Sequence, residues 1–203
     1  MRRESATVVS LAGEITASLL PALGRSGNVS VARAAPDEQV EARDLPLSGW
    51  EPGARAMREA ARRRATFVIV PDDPLAGVAA AWNAMWEPAA GPGAPQAFEA
   101  RAAETLAAWR DKQFELPDYY LVTAPGQREV AGPDFYLGPL HAVRPRRVAV
   151  AGVGEADAAA QAALLLDTLR SLEHGPWWLP LDELLDAVRH FYAGALAESV
   201  GAQ

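Results

Sequence analysis

Arg146 to Leu172, RRVAVAGVGEADAAAQAALLLDTLRSL, decides how the rest of the chain is read. Val148, Val150 and Val153 lie in a nearly continuous apolar run, which suits a strand covered on both faces, as in a mostly parallel sheet with helices on either side. Gly152 and Gly154 then turn the chain. From Glu155 onward, Ala162, Leu165, Leu166, Leu169 and Leu172 recur at three- and four-residue steps, so one face of a helix can lie on the sheet. The stretch is therefore predicted to be one βα unit.

The same alternation runs through the chain from its amino terminus. Thr7 to Ala12 predicts a strand, and Glu14 to Leu23 a helix whose end Pro21 disturbs. Val29, Val31 and Arg33 continue as a second strand, broken at Ala35-Pro36-Asp37-Glu38, and the acidic stretch from there to Trp50 reads as a loop. Pro52 opens a helix with Ala54, Met57, Ala60 and Ala61 on one face, ending in Arg62-Arg63-Arg64. Thr66 to Val70 and Tyr119 to Thr123 are two further strands. Strands alternating with helices point to a Rossmann-like α/β fold, a mostly parallel sheet flanked by helices with right-handed crossovers. Residues 1–203 read as a single domain, long enough to bury a sizeable core without disulfides or metals.

Residues 72–117 form a two-helix insertion between the third and fourth strands, with helices predicted over Pro74 to Glu87 and Gln96 to Phe114. A crossover of that length is a candidate lid or partner arm. Trp82, Trp86 and Trp109 on its apolar faces, with Trp177 and Trp178 further on, are candidate interaction residues. The plainer reading buries them as core, since aromatic side chains supply large areas wherever helices meet. Phe135-Tyr136-Leu137 reads as a short strand, antiparallel and at an edge. Pro180 opens a last helix whose stripe, Leu181, Leu184, Leu185, Val188, Phe191, Tyr192 and Ala195, must be buried somewhere.

Composition and motifs narrow the chemistry. The chain has no cysteine, which removes disulfide frameworks, thiol nucleophiles and cysteine-ligated zinc. Its net charge of −7 argues against nonspecific nucleic-acid binding while leaving room for a local basic patch. Glu4 and Glu14 interrupt the apolar start, and no uncharged run approaches the roughly 18 residues of a membrane span, so a soluble cytoplasmic protein is expected. There is no P-loop lysine with its hydroxyl neighbour, no GxSxG elbow and no HExxH, and His141, His174 and His190 are scattered. The turn at Gly152 and Gly154 offers GxG but places Asp157 where a dinucleotide fingerprint needs a third small residue.

Two candidate sites remain at strand ends. Asp72 and Asp73 follow the third strand directly, and paired carboxylates there can hold Mg2+ and orient a phosphate, with Glu14 or Glu155 as further ligands. The favoured reading is plainer: Asp73 caps the helix that starts at Pro74. Arginines precede strands (Arg2-Arg3, Arg62-Arg63-Arg64, Arg146-Arg147) and acids follow them, so one rim of the sheet is basic and the other acidic, a polarity that helix dipoles favour by themselves. Functionally, the basic rim suits an acidic partner or a neighbouring subunit. Three expectations follow: first, a non-catalytic module that senses a small ligand or joins an assembly, with no cofactor. The others are a metal-dependent phosphoryl-transfer or phosphoester hydrolase using Asp72 and Asp73, and a nucleotide-binding protein using the turn of residues 152–155.

Overall fold

Five parallel strands form one sheet in the computed structural model, which describes residues 6–13, 15, 18–33, 49–124, 134–152 and 157–201, with side chains through Ala193. The strands are β1 (Thr7–Gly13), β2 (Val29–Val31), β3 (Phe67–Val70), β4 (Tyr119–Ala124) and β5 (Val148–Gly152), in the order β2-β3-β1-β4-β5. β1 lies at the centre, with Val9 opposite Ile69 of β3 and Tyr119 of β4. The chain leaves β1 toward β2 in one direction and makes all its later crossovers in the other. Right-handed connections then put helices on opposite faces of the sheet. This is the Rossmann-like α/β arrangement.

Strand alternation sorts the apolar residues between those faces. Val9, Leu11, Ile69, Tyr119 and Leu121 pack beneath α1 (Leu19–Leu23) and α6 (Ala158–Arg170). Val68 and Val70 lie beneath α2 (Glu51–Ala60), while Tyr120, Val122 and Val148 lie beneath α3 (Ala76–Ala84), α4 (Ala94–Arg110) and α7 (Leu181–Gly201). The last helix contributes Leu181, Leu184, Leu185 and Val188, all fully buried, with Phe191 and Tyr192 partly buried beside them, so the stripe is covered within the chain as far as Tyr192, and Ala195 lies outside the described side chains. Helices α3 and α4 pack against each other, and α4 also touches α7. At their junction Trp82 is fully buried among Trp86, Phe98, Phe135, Phe191 and Tyr192, with ring centroids 5.6–6.4 Å away. On α2, a Cβ at Gly53 would overlap the backbone of Asp73 and Pro74, so this helix lies directly on the turn that follows β3.

Four expectations are corrected. β5 is an edge strand paired only with β4, and Val150 is 49% exposed; an apolar run alone does not tell a covered strand from an outer one. Helix α6 begins at Ala158, because Asp157 accepts from Ala159 N and Ala160 N (3.0 and 2.8 Å) and fixes its start. Helix α1 begins at Leu19, later than predicted, which places Pro21 in the first turn, where its missing N–H leaves no gap. The predicted strand at Phe135–Leu137 is instead a wide helical turn, Tyr136–Leu140, running into α5 (His141–Val143). Asp134 Oδ1 accepts from Tyr136 N and Leu137 N, and Pro139 has no N–H for the Phe135 carbonyl. Leu140 N donates to that carbonyl at 3.1 Å, and the turn takes its π geometry from that shift.

Candidate functional site

The carboxyl end of β3 delivers Asp72 and Asp73 to different surroundings. Asp72 is half-buried, whereas Asp73 is 5% exposed and lies under the α3 side of the sheet. Its Oδ1 accepts from Leu75 N (3.1 Å) and from the Tyr120 hydroxyl (2.9 Å), and its Oδ2 from the Tyr136 hydroxyl (2.6 Å). Tyr120 arrives from β4 and Tyr136 from the wide turn, their rings 5.4 Å apart. Burial pushes the Asp73 carboxyl up to about 6, against the pull of its three hydrogen bonds. Burial and the neighbouring carboxylate hold both tyrosine hydroxyls well above their usual range, so they stay protonated donors. Asp73 is thus the acceptor of a closed polar network joining β3, β4 and the turn of residues 136–140. It also differs from a simple helix cap: the N-cap position of α3 is Leu75, and Asp73 instead closes the preceding turn, with Ala76 N donating to its carbonyl at 3.1 Å.

Among the described residues no group of three or more His, Asp or Glu side chains gathers where an ion could bind. Glu14, Gly154 and Glu155 lie outside the described residues. Gly152 ends β5 with nothing within 4 Å of where a Cβ would stand. Between β1 and β4, Gly13 has φ +94°, and a Cβ there would meet the Thr123 carbonyl and hydroxyl. Thr123 Oγ1 donates to the Ala12 carbonyl at 3.0 Å, so the two strand ends are joined tightly at the point where the chain changes direction.

The tryptophans divide by position. Trp82 and Trp178 are buried, and Trp178 Nε1 donates to the Pro117 carbonyl at 2.7 Å. Trp86 and Trp109 are partly buried against the same core. Trp177 is 40% exposed and carries the Arg147 guanidinium 4.6 Å over its ring. Arg147 also lies over Tyr119 and donates to the carbonyls of Asp118, Gly175 and Pro176, which pins the segment before α7 to the amino ends of β4 and β5. This basic-rim residue therefore serves packing.

Two open grooves lie away from the carboxyl rim, where ligands of open α/β sheets usually sit. One, of about 920 Å3, runs along the amino ends of β1 and β4. Its charged lining is mixed, and Asp118 there is engaged, accepting from Val8 N at 2.7 Å. The other, of about 1140 Å3, follows β2 between α1 and α2, and the described residues that line it include Arg25, Arg33, Arg55, Arg58, Arg62 and Arg63 against a single described carboxylate, Glu59. Six guanidinium groups thus gather at one edge of a chain whose net charge is −7. No known family, curated protein or solved structure matches the chain.

Within the groove the arginines are unequally committed. Arg63 and Arg62 reach Glu59 at 2.7 and 3.7 Å, and Arg58 donates to the Gln113 carbonyl at 2.9 Å. Arg25 and Arg33 are exposed, and their guanidinium groups make no hydrogen bond or ion pair with any described residue. The run Arg62-Arg63-Arg64 stands out in the sequence, but the groove does not. Its signal was the recurrence Arg55, Arg58, Arg62 at three- and four-residue steps, which runs along one face of α2 and onto the turn that follows it. Arg25 and Arg33 join that stripe only through the turn that brings β2 beside the helix.

Proposed function

We propose that the chain is a non-catalytic interaction module that takes an acidic partner on the arginine groove beside β2. The observation that carries this reading is the concentration of six arginines against one glutamate among the described residues there. Charge of one sign lining a groove with low-dielectric walls attracts and orients an anionic partner well beyond direct contact. Asp73 supports the same choice over the metal-enzyme alternative, because its oxygens already serve three donors within the core. No helix among the described residues is long and apolar enough to cross a membrane, and a cytoplasmic setting belongs to the proposal.

Fluorescence anisotropy with labelled poly-L-glutamate tests it. Binding is expected at low ionic strength and should weaken steadily as salt screens the groove. The double variant Arg25→Glu/Arg33→Glu, at side chains that bond no other described residue, should lose at least about tenfold in affinity while keeping its melting temperature. Absence of binding at low salt, or equal binding by the variant, would overturn the reading.

A further inference from the structure

The floor of the arginine groove is itself an open sheet edge, and from this we infer that the partner binds there as an extended acidic strand, paired through its backbone with β2. The inference rests on the acidic-partner reading above and adds the form the partner takes. Among the described residues β2 pairs with β3 alone. Phe67 N donates to the Asn28 carbonyl (3.1 Å) and Ala32 N to the Ile69 carbonyl (2.9 Å), so the even-numbered residues turn their backbone groups toward β3. In a parallel ladder the intervening residues turn theirs the other way. The Val29 carbonyl, both polar groups of Val31 and the Arg33 N–H therefore face the groove, while Val29 N is taken by the Ser26 carbonyl at 3.0 Å.

The arginines stand on both sides of this edge. Val29 and Val31 point into the core under α1, and Arg33 continues their alternation on that side, where Arg25 also lies at the end of the α1 turn. Ala32 points into the core under α2, the helix that carries Arg55 and Arg58 and is followed by Arg62. A strand added beside β2 sends successive side chains alternately to these two sides. Consecutive carboxylates are what reach both sets of guanidinium groups, and with β2 three residues long the pairing spans roughly 10 Å. A single-stranded nucleic acid would answer the charge but not the outward N–H and C=O groups, and no aromatic ring lines the groove for its bases to stack on.

The test uses the full chain and three labelled peptides of identical sequence, a glutamate run flanked by valines. One is unmodified, and the other two are N-methylated at alternate residues in opposite phases. A strand paired along one edge donates from every second residue, so one methylated phase should bind at least about tenfold more weakly while the other retains affinity. Equal affinity of all three would overturn strand pairing and leave charge attraction intact. Failure of even the unmodified peptide to bind would remove both proposals. Tighter binding of a single-stranded oligonucleotide than of the unmodified peptide at the same salt would overturn the inference in favour of nucleic acid.

Discussion

Asp73→Ala should destabilise the protein by several kcal/mol, on the order of 3–6, because it strips the acceptor from Tyr120, Tyr136 and Leu75 N together at about 1–3 kcal/mol for each buried group left unpaired. Urea denaturation measures it, and a loss under about 1 kcal/mol would show that the network does not hold β3, β4 and the wide turn together. Asp73→Asn separates the charge from the packing. The folded carboxyl titrates near 6 and the unfolded one near its ordinary value of 3.8, so between those values the folded state holds the proton that the unfolded state has lost. Its contribution is fully present below about 4 and is lost as pH rises through about 6, a difference of roughly 3 kcal/mol. Wild type should therefore lose more stability than Asp73→Asn when both are taken from pH 4 to pH 7. Parallel profiles would mean that Asp73 is not buried as an ionisable group.

Trp82→Ala is expected to cost about 3–5 kcal/mol, the range for removing a large aromatic side chain from a packed core. Its ring lies within 6.4 Å of five other aromatic rings and belongs to α3, α4 and α7 at once, so the cavity cannot close without moving several elements. Near-ultraviolet circular dichroism should weaken across the aromatic band along with the drop in denaturation midpoint. A variant with wild-type stability would release Trp82 from its place at the junction of the three helices.

Much of the architecture was legible because it is written in local pattern. β2 ends at Val31, two residues short of Arg33, and β1, β3 and β4 differ from prediction by one residue, since apolar runs bounded by turn residues mark strands wherever helices alternate with them. Strand order is a different kind of information. Nothing within VAVAG tells whether a helix covers it, so Val150 read as core although it lies on an outer strand. Phe135–Leu137 misled for a similar reason: its aromatic content suits a strand, while the Asp134 carboxylate and the missing N–H of Pro139 decide for a wide turn. The partners of Asp73 were out of reach, because Tyr120 and Tyr136 stand 47 and 63 residues from it and meet it only after the sheet forms. The arginine groove lies between these extremes, half visible as a stripe on α2 and half made by the placement of β2.

The open edge at β2 also bears on how copies of this chain meet one another. A sheet that ends in unpaired backbone groups is a template for the same edge of a second molecule, and unprotected edges of that kind lead toward aggregates. Here a second copy would bring its own arginines against Arg25, Arg33 and the stripe of α2, like charge on like charge, within the roughly 8–10 Å over which salt leaves such repulsion effective. The three-residue length of β2 limits what such a contact could gain in hydrogen bonds. Like charge along this edge thus opposes the pairing of two copies through β2.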